Sequence, residues 1–187
     1  MVNLVKSTTD KSDKNRWATT WECFERAQEL FGAKFILDVA AEVETSKCDN
    51  FFGPPNYEYV EPMIGTKEYW DDPVCTGIDA LLPNNKWDCL WWCNPPFDLK
   101  REFITKAIEQ SKLGHSGMML LPYEPCTKWF RELVMPNASA VYVPDGRYNF
   151  LETDGVTRKS GVNFPSCFVL FTPHYNGGEA KIINIAR

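Results

Sequence analysis

Short runs that are apolar at every position recur along this chain, separated by stretches of helical periodicity. They are Phe35-Ile36-Leu37, Cys89-Leu90-Trp91-Trp92-Cys93, Met118-Met119-Leu120-Leu121 and Val141-Tyr142-Val143. A strand without polar alternation must be covered on both faces, as in a parallel sheet with helices on either side. The intervening stretches supply the helices. After Trp17-Ala18, either Thr19 or Thr20 can cap a helix carrying Glu22 in its first turn and Phe24, Ala27, Leu30 and Phe31 on one face, with Gly32 ending it. A second helix is predicted from Leu99 to about Lys112, presenting Phe103, Ile104, Ala107 and Ile108, and a third over 126–134 around Trp129, Phe130 and Leu133. After Gly146 the pattern turns β-rich, at 148–151, 168–171 and 181–185. This order predicts an α/β fold, a doubly wound sheet with antiparallel strands appended at its C-terminal end.

A chain of 187 residues suits one domain. Residues 1–16 are polar and aperiodic and read as a flexible tail, leaving 17–187 as the folded unit. A Pro-, Gly- and aromatic-rich stretch at about 49–75 reads as a long loop. No apolar run approaches the ~18 residues of a membrane span. The N-terminus has no signal-peptide core, so a cytoplasmic location is expected, with no membrane partner. Seven scattered cysteines, without a CxxC pair and with only two histidines, predict reduced thiols and no metal site. The net charge is −5, but residues 38–88 hold 11 acids against 3 bases, and residues 89–187 sum to +2. Acidity confined to one segment leaves a basic face elsewhere available to nucleic acid.

Asn94-Pro95-Pro96-Phe97 closes the second apolar run. In open α/β sheets, ligands bind beyond the carboxyl ends of the strands. There, an Asn side-chain oxygen and the carbonyl of residue 95 can both accept from one planar –NH₂. The prolines have fixed φ angles and donate nothing, and Phe97 offers a flat face for stacking. Two acceptors on one amino group expose its lone pair for attack on a sulfonium methyl. The alternative is a plain turn, for which Asn-Pro-Pro is suitable.

The chain resembles the phage-type DNA adenine-N6 methyltransferases (Dam-like). The likeness runs through Trp17-Ala18-Thr19-Thr20, Phe35-Ile36-Leu37-Asp38-Val39-Ala40-Ala41 with Ser46-Lys47-Cys48, and Gly77-Ile78-Asp79-Ala80-Leu81. It continues through Trp92-Cys93-Asn94-Pro95-Pro96-Phe97, Arg147-Tyr148-Asn149-Phe150 and Phe164-Pro165-Ser166. The resemblance implies a Rossmann-like methyltransferase sheet, S-adenosylmethionine as cofactor, and duplex DNA with a flipped adenine as partner. By position, Asn94, Pro95, Pro96 and Phe97 would be catalytic. Thr19 and Asp38 would serve the methionine end of the cofactor, and Asp79 its ribose or adenine end. Ala40, with Ala41, would provide the close approach for which a typical nucleotide loop uses glycine. Thr20 departs from the family pattern, which has proline there.

Each residue also has a structural role open to it: Asp38 as a helix cap, Asp79 as a loop acid, Thr19 as an N-cap. Base extrusion requires loops that hold the DNA. The stretches 49–75 and 145–163 are the candidates, the second with Arg147, Arg158 and Lys159 for phosphate contact. The same tetrad chemistry would serve RNA guanine N2 or a protein glutamine amide, and a non-catalytic nucleic-acid-binding module is the reading from another class.

Overall fold

The first helix begins and ends where its capping residues dictate. In the computed structural model, which describes residues 15–58, 72–159, 164–173 and 178–187, α1 (Trp21–Phe31) starts after Thr20, whose side chain accepts the Cys23 amide at 3.3 Å. Of the two threonines open to the role, Thr20 is the cap. Gly32 ends the helix at φ 80°, its amide on the Gln28 carbonyl at 2.8 Å, and Cys23, Phe24 and Ala27 form the buried face. Helix α2 (Lys100–Lys112) follows a 3₁₀ turn at Phe97–Leu99, and the third helical stretch closes in a π-helical turn, Phe130–Val134.

The strands are β1 (Ala18–Thr19), β2 (Leu37–Asp38), β3 (Asn50–Gly53), β4 (Val74–Ile78), β5 (Trp91–Cys93), β6 (Gly117–Pro122), β7 (Ala140–Pro144), β8 (Phe150–Leu151), β9 (Ser166–Phe171) and β10 (Lys181–Ile185). The main sheet has the order β10-β7-β9-β6-β5-β2-β3-β4. Its neighbours pair in parallel except β9, which is antiparallel to both β6 and β7.

The C-terminal strands therefore differ from the expectation. The antiparallel β9 is inserted within the sheet, β10 is parallel to β7, and β8 leaves the sheet to pair with β1, Ala18 opposite Leu151 and Thr19 opposite Phe150. Apolar runs register burial and carry no record of strand direction. Strand β3 lies inside the stretch expected to be a loop; four residues ending in Gly53 and followed by Pro54-Pro55 are too few to display a period. Residues 59–71 of that stretch lie outside the described residues.

Strand β5 shows why its run is wholly apolar. Trp91 and Cys93 join Phe103, Ile104, Ala107, Met119, Leu121 and Val169 on one face of the sheet. Trp92 points to the other face, with Cys23, Phe24, Ala27, Phe35, Met118, Leu120 and Phe168. Among the described residues no helix is long and apolar enough to cross a membrane.

Candidate active site

Strands β2 and β5 lie side by side, Leu37 opposite Trp91 and Asp38 opposite Trp92. From β2 the chain builds outward to β3 and β4, then returns to β5 and builds the other way to β6. Loops leaving the carboxyl ends of β2 and β5 thus diverge and open a crevice. Asp38 and Asn94 head those loops.

Asn94 donates its Nδ2 to the Trp17 carbonyl at 2.9 Å. With the NH₂ committed, Oδ1 remains as the acceptor. The Pro96 carbonyl accepts the Leu99 amide at 3.0 Å, whereas that of Pro95 accepts no backbone amide among the described residues. Phe97 meets Trp17 edge-on at 5.7 Å and Phe164 edge-on at 5.0 Å; Trp17 and Phe164 are themselves parallel, 6.4 Å apart. Phe150 packs against both, at 6.1 and 5.9 Å. The cavity between Asn94, Pro95, Phe97, Phe150, Phe164 and Ser166 is about 10 Å³, room for about one water.

Asp38 is 3% exposed, with Oδ1 accepting the Ala40 amide at 3.3 Å and Oδ2 the Lys47 amide at 3.2 Å. Burial pushes its carboxyl up to about 6, although those amides and the Lys47 charge act to lower it. The buried Lys47 places Nζ on the Thr45 carbonyl at 2.9 Å and 4.9 Å from the Trp21 ring centre, and burial lowers its own pKa. Thr19 is buried, and its Oγ1 has no partner among the described residues. Such an atom calls for an explanation, a ligand among them.

Asp79 follows β4, two strands away from Asp38. It adopts φ 55°, a left-handed conformation that Asp tolerates better than most residues, and Oδ1 holds its own turn by accepting the Leu81 amide at 3.1 Å. Arg147 and Arg158 are exposed. Lys159 is placed differently: Nζ bonds both Glu152 oxygens, at 3.0 and 3.2 Å, and sits 5.3 Å from the Trp17 ring centre. Ser160, Gly161 and the rest of that tip to 163 lie outside the described residues.

Sequence reasoning missed the segment before Trp17. Asn15 and Arg16, read as the end of a tail, are engaged. Asn15 donates Nδ2 to Asp98 Oδ2 at 2.9 Å and accepts the Asp98 amide at 3.2 Å; Arg16 binds both Glu42 oxygens, at 2.7 and 2.6 Å. Asn15, Asp98 and Glu42 form no local pattern in the sequence, so only their adjacency to Trp17 and the tetrad could have drawn attention to them. Residues 1–14 lie outside the described residues.

Comparison with known proteins gives the family of the chain. A family model described as DNA N-6-adenine-methyltransferase (Dam) matches residues 6–186. The chain is 32% identical over 179 residues to a DNA N-6-adenine-methyltransferase of Haemophilus phage HP1 (strain HP1c1), covering 95% of this chain and 90% of that protein. It is 27% identical over 135 residues to a DNA N-6-adenine-methyltransferase of Escherichia phage T1, covering 72% of this chain and 47% of that one. With the model spanning nearly its whole length and one phage relative matched almost end to end, the chain belongs to the DNA N-6-adenine-methyltransferase (Dam) family.

Proposed function

We propose that this chain moves a methyl group from S-adenosylmethionine to the exocyclic N6 amino group of an adenine in duplex DNA. Family membership supports the reaction, and the sheet supports a Rossmann-like methyltransferase fold. Counted from β2 as the first strand, and leaving out β8, the order from the β4 edge begins 3-2-1-4-5 and has an antiparallel strand inserted before the sixth. Without that insertion, and without the edge strand β10, it is the doubly wound dinucleotide-binding order.

The observation that carries the reading is the fixed polarity of Asn94. Trp17 holds its NH₂, so Oδ1 and the neighbouring Pro95 carbonyl can together accept both hydrogens of an incoming amino group. Both hydrogens held in this way turn the nitrogen lone pair outward, and the acceptors are aimed before the reaction begins. Pro95 and Pro96 keep the carbonyl uncontested and Phe97 supplies a ring face for the base. The donor, when bound, supplies an electrophilic sulfonium methyl. Its methionine end carries an ammonium, and the buried Asp38 carboxylate and the Thr19 hydroxyl, without a partner among the described residues, are acceptors that suit it. Ala40 allows close approach after β2, and Asp79 serves the adenosine end from β4. Once methylated, the nitrogen is acidic and releases its proton without a dedicated strong base.

Extruding the adenine costs a few kcal/mol, and the closed cavity adds the separation of Phe97 from Phe164. Arg147 and Arg158 offer charge to phosphates, while Lys159 braces Trp17 through its pair with Glu152. A DNA-acting enzyme of this kind meets its substrate in the cytoplasm.

The test is transfer of radiolabelled methyl to unmethylated duplex DNA, with total RNA and a glutamine-containing peptide as parallel acceptors. The expected product is N6-methyladenine from DNA alone. Asn94→Ala is expected to lower kcat by roughly 10²- to 10³-fold while DNA binding survives. Label found only in RNA or peptide would overturn the acceptor; wild-type protein that binds DNA and never transfers methyl would overturn the enzyme reading.

A further inference from the structure

Asn94 can act as an acceptor only while its amide keeps one orientation. Terminal amide torsions are broad, and a flipped amide would present NH₂ to an incoming NH₂. The side-chain bond that sets the orientation is to the Trp17 carbonyl. That acceptor is a backbone atom, so its position depends on what anchors residues 15–19. On the downstream side, Ala18 and Thr19 pair with β8. On the upstream side, Arg16 pairs with Glu42 in the loop after β2, and Asn15 makes two bonds to Asp98, the residue following Phe97.

The segment is therefore a strap across the crevice, bound to the loops that leave β2 and β5. Its bonds to Asn94 and Asp98 close a ring around the tetrad: strap to Asn94, tetrad to Asp98, Asp98 back to Asn15. The Trp17 ring stands edge-on to Phe97, the residue before Asp98.

We propose that Asn15 is a positioning residue, which through its reciprocal pair with Asp98 holds the Trp17 carbonyl where it orients the Asn94 amide. This rests on the reading of Asn94 as an acceptor for the target amine.

The pair can be reversed chemically, which provides the test. Asn15→Asp sets two carboxylates against each other. Adding Asp98→Asn restores both bonds with exchanged roles: the new amide donates to the carboxylate at 15, which also accepts the amide of residue 98. Full-length wild type, N15D, N15D/D98N and N94A are compared on unmethylated genomic DNA for kcat, for the KM of DNA, for cofactor affinity by calorimetry and for Tm. The expectation for N15D is a kcat lowered roughly tenfold, the scale of one charge-assisted hydrogen bond, with KM, cofactor affinity and Tm within about twofold or about 2 °C of wild type. The double variant is expected to recover kcat to within about twofold. Wild-type kcat in N15D, a double variant no better than N15D, or a loss that follows cofactor affinity or Tm would each overturn the proposal. An N94A variant that keeps its kcat would overturn the Asn94 reading instead, so the two failures are distinguishable.

Discussion

Asp38 has two amide donors and almost no contact with solvent, so its ionised form is poorly stabilised and its carboxyl titrates at about 6 instead of 3.8. The charged and titratable groups facing it are Lys47, Cys48 and Cys93. The sign follows from linkage. Between about 3.8 and 6 the folded chain holds a proton that the unfolded chain has released, so the ligand-free protein loses stability as pH rises through that window and no more above it. A cationic ligand that needs the carboxylate behaves in the opposite way. Cofactor affinity measured by calorimetry between pH 5 and 7 is expected to tighten as pH rises, approaching tenfold per unit below 6 and levelling above it. Asp38→Asn is expected to bind more weakly with a flat profile; a wild-type profile equally flat would leave Asp38 with a structural role alone.

The elements of the sheet depend on close fits that a hydropathy pattern does not express. Gly117 of β6 stands opposite Trp91 of β5, and a Cβ there would lie 2.0 Å from the indole. Trp91 is fully buried against Trp87, with ring centres 5.0 Å apart. Gly117→Ala is expected to destabilise the protein by about 1–3 kcal/mol, read as a fall of several degrees in Tm by calorimetry; an unchanged Tm would show that the indole repacks. The apolar runs of β5, β6, β7 and β9 were legible because each buries consecutive side chains on both faces. Helix α1 was legible from its caps and its spacing, and the structure decided between Thr19 and Thr20. Strand β3 was not legible, being four residues long and bounded by turn chemistry. The position of β9 was not legible either, because strand order is set by long-range pairing.

At the scale of the whole molecule, the question is which cations reach a polyanion. Residues 38–88 are strongly acidic, while Arg147 and Arg158 are exposed on the far side of the sequence from them. Arg147→Ala and Arg158→Ala are each expected to reduce the salt slope of DNA binding by roughly one, measured by fluorescence anisotropy over a series of salt concentrations. Lys159→Ala is expected to leave the slope unchanged, since Glu152 already neutralises that charge. Slopes unaltered in both arginine variants would place the DNA elsewhere. All three residues read alike in the sequence as a basic loop, and tertiary contact separates them. The chain by itself determined the mixed α/β class, the buried strands and the tetrad at the end of β5, because burial on two faces and proline-fixed backbone are local properties written in consecutive residues. Tertiary structure alone decided the insertion of β9, the polarity of the Asn94 amide, the engagement of Lys159 and the strap from Asn15, because each depends on atoms brought together across the fold by packing, with no local signal to announce them.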